Sequence, residues 1–332
     1  MQSVEFACPI CKDPLQQHTD RYTCTRDGRE YPLVLGIPDF RIEPYNVASA
    51  RDRAITDRVL DAYSDRSFTE LVALYEELLP TVSRGIRRRR QIHLGTGFVR
   101  AQTCLSEIRS YGPGMTYDGQ FLEIGCGFGG FLIAAVQMFP CVVGLDLKMA
   151  RLIVAKRSFD EAGCEAILIC AAAEALPFRG DSFDVVAGSD MIEHVHEQAR
   201  VLREAHRVLT PGGKLFLTTP NRWSLTPEPH VNVFGVGFLP KSWRCPYVWL
   251  VQKTGYTNIS LLNWFEIRRL ILASPFRRWR IIAPTLPAEH TARLPGWARA
   301  AAPIYHRIKE HLLLKWLVYL FGPLFHIICV KE

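Results

Sequence analysis

No stretch of the 332-residue chain combines the length and the apolar purity of a membrane span. The most apolar window, Leu312 to Val330, is interrupted by Lys315, by a Gly322-Pro323 break and by His326. A spanning helix is therefore not expected. Lysine is scarce, 9 residues against 31 arginines, so guanidinium groups carry most of the formal charge of +7. A charge of that size over this length permits an anionic partner, nucleic acid or lipid, without requiring one. Internal repeats and low-complexity runs are missing. With 48% hydrophobic and 22% charged residues, disorder, collagen and coiled coil are excluded as the main architecture. Cysteine is present, but not as a disulfide scaffold. Cys104, Cys126, Cys141, Cys164, Cys170 and Cys329 stand singly in apolar runs, the pattern of reduced, buried thiols. No secretory leader is visible, because Met1 leads straight into Val4-Glu5-Phe6 and a Cys-Pro pair. The expectation is a cytoplasmic protein, with contact to a membrane surface left open.

Four regions follow one another. Residues 1–45 hold three cysteines and many turn formers. Residues 46–112 are helical in pattern and include the basic run Arg87-Arg88-Arg89-Arg90. From 113 to 222, short apolar runs alternate with helical stretches, as in a parallel α/β sheet. Residues 223–320 form an insertion rich in aromatics, proline and arginine, and the chain closes on the strand-like run Phe325 to Val330. In the third region the pattern predicts strands at 120–124, 141–145, 166–170, 183–188 and 214–218. Helices are predicted from the glycine turn through 138, at 149–162 and at 197–209, the last ended by Pro211-Gly212-Gly213.

The run Phe121-Leu122-Glu123-Ile124-Gly125-Cys126-Gly127-Phe128-Gly129-Gly130 is a strand entering a glycine turn and then a helix. Glycines there allow tight dihedrals and close approach of backbone to a ligand. Gly125, Gly127 and Gly130 also satisfy the dinucleotide spacing, so an NAD site has to be weighed. Glu123 argues against it: a pyrophosphate would be repelled by this acid, whereas a ligand with an ammonium group would be attracted. Asp146 closes the second strand, where a carboxylate can accept from both ribose hydroxyls. Ala173-Glu174-Ala175-Leu176-Pro177-Phe178, Ser182-Phe183-Asp184-Val185-Val186 and Arg207-Val208-Leu209-Thr210-Pro211-Gly212-Gly213-Lys214 follow in order. Over residues 115–222 the chain resembles the class I S-adenosylmethionine-dependent methyltransferases. The resemblance implies an α/β fold with a seven-stranded, mostly parallel Rossmann-like sheet whose last strand is antiparallel. It implies S-adenosyl-L-methionine as cofactor. Glu123, Gly125, Gly127 and Gly129 would surround the methionine part, Asp146 would hold the ribose, and Leu147 would pack on the adenine. Ala173, Glu174 and Ser189 complete the implied cofactor set. Ala172 stands where the family usually has an acid toward the adenine amino group.

Methyl transfer from a sulfonium is an in-line displacement, so the protein has to orient the acceptor and provide for its proton. Candidates belong at the carboxyl ends of the fourth and fifth strands. Asp190, Glu193 and His194 would share a face if a helical turn begins there. Asp-x-x-Glu-His is similar to a motif of ubiquinone-type O-methyltransferases, which implies a divalent metal near a phenolic substrate. Glu193 and His194 as acid-base groups without metal are the alternative. His230, between prolines on the loop after the fifth strand, is a further catalytic candidate. The aromatic stretch Val233 to Trp249 is either a packed cover or an apolar acceptor pocket.

At the start, Cys8-Pro9-Ile10-Cys11 is a metal-knuckle spacing, and Cys24 follows a plausible hairpin. A second pair is incomplete, with Asp27 in the fourth position. With Tyr31-Pro32 and Gly36-Ile37-Pro38, the segment is similar to the small zinc ribbon of the tRNA-methyltransferase activator family, which implies zinc at Cys8, Cys11, Cys24 and Asp27. Ribbons of this kind also accompany rRNA methyltransferases. Three functions stay open: O-methylation of a small or lipophilic hydroxyl compound, base methylation of RNA with Arg87–Arg90 on phosphates, and a non-catalytic activating partner. The first is the reading favoured here. Residues 300–320 predict one helix with Ile304, Ile308, Leu312, Trp316 and Tyr319 on an apolar face, which either packs on the sheet or meets a membrane surface.

Overall fold

The computed structural model describes all residues except 1–3, 46–48, 80–83, 112–118, 287–290, 293–295 and 312. A four-stranded antiparallel ribbon comes first, in the order β1 (Leu15–Gln17), β2 (Arg21–Cys24), β3 (Glu30–Val34), β4 (Ile37–Pro38). Four helices follow: α1 (Ala50–Asp61), α2 (Phe68–Leu78), α3 (Arg84–Gly95) and α4 (Gly97–Ser110). Ser49 with Asp52, and Ser67 with Glu70, form capping boxes that satisfy the first amides of α1 and α2.

The main body alternates β5 (Gln120–Ile124), α5 (Gly130–Ala135), β6 (Cys141–Asp146), α6 (Met149–Ala162), β7 (Ile167–Cys170), β8 (Phe183–Ser189), α7 (Gln198–Val208) and β9 (Leu209–Pro220). Next come α8 (Lys241–Gln252), α9 (Trp264–Leu272), β10 (Arg278–Ile282), α10 (Gly296–Glu310), α11 (Lys315–Phe321) and β11 (Leu324–Val330). The seven-stranded sheet has the order β10-β11-β9-β8-β5-β6-β7. β11 pairs antiparallel with both neighbours, and the remaining pairs are parallel. This is the expected mixed sheet with one antiparallel strand.

Strand alternation sorts the core into two faces. Leu122, Ile124, Val143, Leu145 and Val186 pack toward α7, α9 and the ribbon. Phe121, Val142, Val185 and Ala187 pack toward α4, α5 and α6, with α1 and α2 outside them. The ribbon joins the first face, because Cys8, Cys24, Tyr31 and Phe40 belong to the same buried cluster as Leu176 and Phe178.

Several boundaries depart from the sequence reading. The helix after the glycine turn ends at Ala135 rather than 138. β9 begins at Leu209, because Thr210-Pro211-Gly212-Gly213 passes through the ladder as an irregularity, with Gly212 at φ 82° and a register shift opposite Phe183 and Val185. β10 was not anticipated; its exposed arginines 278 and 280 alternate with Trp279 and Ile281 as on a half-covered edge strand. The helix expected over 300–320 is divided into α10 and α11, and its apolar face is split: Ile304 and Trp316 are exposed, Ile308 is half-buried, Tyr319 packs against the core, and Leu312 lies outside the described residues. The side chains of Arg87, Arg88 and Arg89 also lie outside them, while Arg90 bonds Glu76 at 3.1 Å. No described helix is long and apolar enough to cross a membrane.

Candidate active site

Strand order reverses about β5, which lies between β6 and β8, and open α/β sheets bind ligands in a crevice beyond the carboxyl ends of the strands at such a reversal. Glu123 is buried at the end of β5, and its Oε2 has no hydrogen-bond partner. Burial, and then the nearby Asp146, raise its pKa to about 8, against the opposing charge of Arg100 from α4. An unpartnered buried carboxylate oxygen beside a glycine turn is a receptor for a cation. Gly125, Gly127 and Gly129 all have positive φ, at 76°, 55° and 78°. At Gly125 a methyl group would come within 2.8 Å of Met191 Cβ, so the turn touches the segment that carries His194. At Gly127 a side chain would enter open space. The glycines thus serve backbone geometry at one end and clearance at the other.

Asp146 closes β6. Its Oδ2 accepts from Gly127 N–H at 3.0 Å and its Oδ1 from Lys148 N–H at 2.8 Å, which fixes the carboxylate and leaves lone pairs for a ligand. Arg151, at 3.9 Å from it, donates to Tyr75 of α2 at 3.2 Å, and the Tyr75 ring meets Phe128 of the glycine turn edge-on. Sequence reading did not place α2 at this turn. Leu147 is half-buried beside Tyr45, Ala172 and Ala175. Ala173 is buried, but the Glu174 carboxylate is turned to the start of α7, where it accepts from His196 N–H at 2.8 Å. Glu174 therefore serves that helix end, not the crevice. Ser189, at the end of β8, shares a hydrogen bond of 3.1 Å with Thr218.

The expected common face of Asp190, Glu193 and His194 is not formed. Asp190 has φ 51° and only a short 3-10 turn, Ile192–His194, follows it. Its carboxylate accepts from Thr218 Oγ1 at 2.9 Å and pairs with Arg100 at 3.5 Å. Glu193 and His194 instead meet His230. The two imidazole Nε2 atoms lie 3.0 Å apart, and Glu193 Oε1 is 3.8 Å from His230 Nε2. One ligand atom from each of the three falls within 4.8 Å of the others. Glu193 is fully buried; Oε2 accepts from Thr219 at 3.1 Å, and Oε1 has no hydrogen-bond partner. Burial, then Asp190, push its pKa up to about 8.

Glu228 was missed, and it organises the loop. Its Oε1 lies 2.5 Å from His230 Nδ1, and its Oε2 accepts from the backbone N–H of His230 and Val231 at 2.9 Å each. Burial works to lower the His230 pKa, but the Glu228 carboxylate outweighs it and the net shift is upward. The only prior signal was the Glu-x-His spacing on a proline-bounded loop. His194 keeps a solvent-exposed edge, while the crowding of its other side, with the charges of His230 and Arg151, pulls its pKa down.

At the ribbon, Cys8, Cys11, Cys24 and Asp27 also gather within 4.8 Å. The two knuckles repeat one hydrogen-bond pattern. Lys12 N–H donates to Cys8 O at 2.9 Å and Cys8 N–H to Asp13 O at 2.9 Å; Gly28 N–H donates to Cys24 O at 3.0 Å and Cys24 N–H to Arg29 O at 2.8 Å. Lys12 and Gly28 share a left-handed backbone, with φ 64° and 70°. Asp27 thereby occupies the position equivalent to Cys11.

Residues 122–217 match the sequence model of a methyltransferase domain. The fold is that of an α/β methyltransferase. A ubiquinone biosynthesis O-methyltransferase of Pseudomonas aeruginosa is 40% identical over 119 residues, covering 35% of this chain and 48% of that protein. The mitochondrial ubiquinone biosynthesis O-methyltransferase of Mus musculus is 33% identical over 135 residues, 39% of this chain and 36% of that one. The chain thus spans about half the length of the Pseudomonas relative. Phosphoethanolamine N-methyltransferase 2 of Haemonchus contortus, solved with phosphomonomethylethanolamine and S-adenosylhomocysteine, superposes with a TM-score of 0.51 at 20% identity, over 89% of this chain and 62% of that one. This likeness is one of fold.

Proposed function

We propose that the protein is an S-adenosylmethionine-dependent methyltransferase acting on the oxygen of a small or lipophilic hydroxyl compound. The observation that carries the reading is the unpartnered buried oxygen of Glu123 beside the open side of Gly127. An ammonium group fits the first, and close backbone approach fits the second. Asp146 would accept from the ribose hydroxyls, Leu147 would lie on the adenine, and the Ala173 backbone would border it. When bound, the cofactor supplies an electrophilic methyl group on a sulfonium. The chain's own work is to hold the acceptor in line and take its proton. His230, oriented through Nδ1 by Glu228, would act as the base through Nε2, which lies 3.0 Å from His194 Nε2. The O-methyltransferase names of the relatives support oxygen as the acceptor atom.

Glu193, His194 and His230 also fit a divalent cation. Two imidazole nitrogens 3.0 Å apart suit neighbouring positions around one ion, and the unpartnered Glu193 Oε1 supplies a carboxylate ligand. Such an ion would lower the pKa of an acceptor hydroxyl and fix its orientation. In the ribbon, three thiols and the Asp27 carboxylate fit zinc, which takes such a donor set.

Titration of the full chain with S-adenosylmethionine, followed by transfer of labelled methyl to a panel of phenols and catechols, tests the reading. Binding with methylation of a hydroxyl is expected. Absence of cofactor binding would overturn it in favour of a non-catalytic activating partner, and transfer to RNA alone would replace the acceptor class.

A further inference from the structure

Of the 16 large hydrophobic side chains exposed among the described residues, 14 lie between 225 and 317. All 7 tryptophans of the chain fall between 223 and 316. The same part is strongly basic: residues 241–320 hold 13 Lys and Arg against 3 Asp and Glu, whereas the rest of the chain holds 27 against 30. Apolar exposure and positive charge thus coincide in one part of a chain that is slightly acidic elsewhere.

The structure shows how this surface is built. In α8 only Val248 is buried, and it packs against Val231, Val233 and Val236 of the loop that carries His230. The outward side of α8 holds Trp243, 67% exposed, Trp249, 57%, and Leu250, 67%. Lys241 precedes them, and Lys253 stacks on Trp249 with its Nζ 4.2 Å from the ring centroid. Beside α8 an open cleft of about 540 Å³ is lined by Lys241 and Arg244, by Arg222 paired with Glu266 at 3.1 Å, and by Trp223 and Phe238. From it a continuous series of ring contacts runs from Trp223 to Phe265, Trp264, Trp316 and Tyr319, with centroid separations of 5.2 to 6.0 Å. Leu313, Leu314 and Leu317 stand exposed at the far end.

We propose that the outer side of α8, with the aromatic series reaching α11, docks onto an anionic lipid bilayer. Charge complementarity selects this occupant: the basic residues meet acidic headgroups, and Lys241 and Arg244 at the cleft, whose Arg222 is already neutralised by Glu266, face a phosphate. Tryptophan is suited to headgroup depth, and exposed leucine and valine are suited to the acyl boundary. A nucleic acid would use the same charge but would leave Leu250, Val251, Leu313 and Leu317 without a partner. Docking does not depend on the reaction; if the reaction is the one proposed, the His230 loop lies directly behind α8, within reach of an acceptor whose tail stays in the bilayer.

Flotation of the full chain with vesicles of phosphatidylcholine, with or without phosphatidylglycerol, tests this. The chain should float with the anionic vesicles at low salt and several-fold less at high salt. The exposed-site variant Trp243→Glu/Leu250→Glu should bind about tenfold more weakly or worse. Lys241→Glu/Lys253→Glu should lose the preference for anionic lipid, and thermal melts of each variant check that the fold is kept. A chain that stays in solution with both vesicles, or variants that bind like the parent, would overturn the proposal. So would retention on a single-stranded RNA oligonucleotide without flotation.

Discussion

Glu123 illustrates what a single residue can be asked to do. With a pKa raised to about 8, it is largely protonated at pH 7 in the free protein, and a cationic ligand binds the ionised form. Affinity for S-adenosylmethionine should therefore increase as pH rises from 6 toward 8, by up to about tenfold per unit, and Glu123→Gln should weaken binding and flatten the profile. Calorimetric titration across that range measures both, and a profile identical in the two proteins would remove Glu123 from the site. The second test concerns His230. If it is the base, His230→Ala should lower kcat by about 10²–10⁴ with cofactor affinity unchanged, and Glu228→Gln should lower it less, since the imidazole remains. The glycine turn and Asp146 were legible because strand, turn and acid are contiguous in sequence. Glu228 was not, because its role depends on a loop folding back over the crevice, and Asp190 was misread because its left-handed backbone breaks the helical spacing that Glu193 and His194 were assumed to share with it.

At the scale of elements, strands and helices buried on both sides announced themselves: 120–124 and 149–162 were read from sequence to the residue. Elements held by partners elsewhere did not. β10 looks polar because one face is solvated, and although residues 46–112 read as helical, the sequence did not show that α1 and α2 pack on α6, α4 on α5, and α3 on α4. The ribbon is fastened in the same non-local way. Lys12 donates to Glu204 of α7 at 2.9 Å and to Leu176 O at 3.1 Å. Glu204 also accepts from Leu176 N–H at 2.9 Å and from Arg207 at 2.8 Å. Burial alone would raise the Glu204 pKa, but Arg207 and Lys12 reverse the shift and lower it. Its contribution to stability is therefore present above the ordinary carboxylate range and fades as pH falls through the lowered value. Glu204→Gln should cost about 1–3 kcal/mol near neutral pH, and the gap to the parent should narrow in acid. Denaturant unfolding at several pH values measures this. An equal gap at all of them would mean that packing, not charge, fastens the ribbon.

For the whole molecule, the ribbon and the sheet are joined by core as well as by contact. Phe40 N–H donates to Cys170 O at 2.7 Å and Asp39 pairs with Cys170, so the segment after β4 covers the β7 edge of the seven-stranded sheet. Cys8 and Cys24 sit in the same buried cluster as Ile169, Leu176 and Phe178. Local loss of the ribbon would open that cluster and bare the β7 edge at once. A zinc ion bound at Cys8, Cys11, Cys24 and Asp27 would therefore stabilise the whole chain, by an amount set by its affinity for the folded form. Protein prepared with zinc should carry close to one equivalent at this site, and a strong chelator should lower the midpoint of a single unfolding transition followed through the tryptophans, all of which lie outside the ribbon. Cys11→Ser should reproduce the chelated behaviour without chelator. Its thiol is half-exposed, so the substitution removes a ligand without cutting a cavity into the core. A midpoint insensitive to both treatments would mean that Tyr31, Phe40 and the Lys12–Glu204 anchor hold the ribbon without metal. A separate early transition confined to the ribbon, read as exposure of the Cys8 and Cys24 thiols to a thiol reagent before the tryptophan signal changes, would instead contradict the shared core, because the Cys8 and Phe178 cluster could not open without disturbing the sheet.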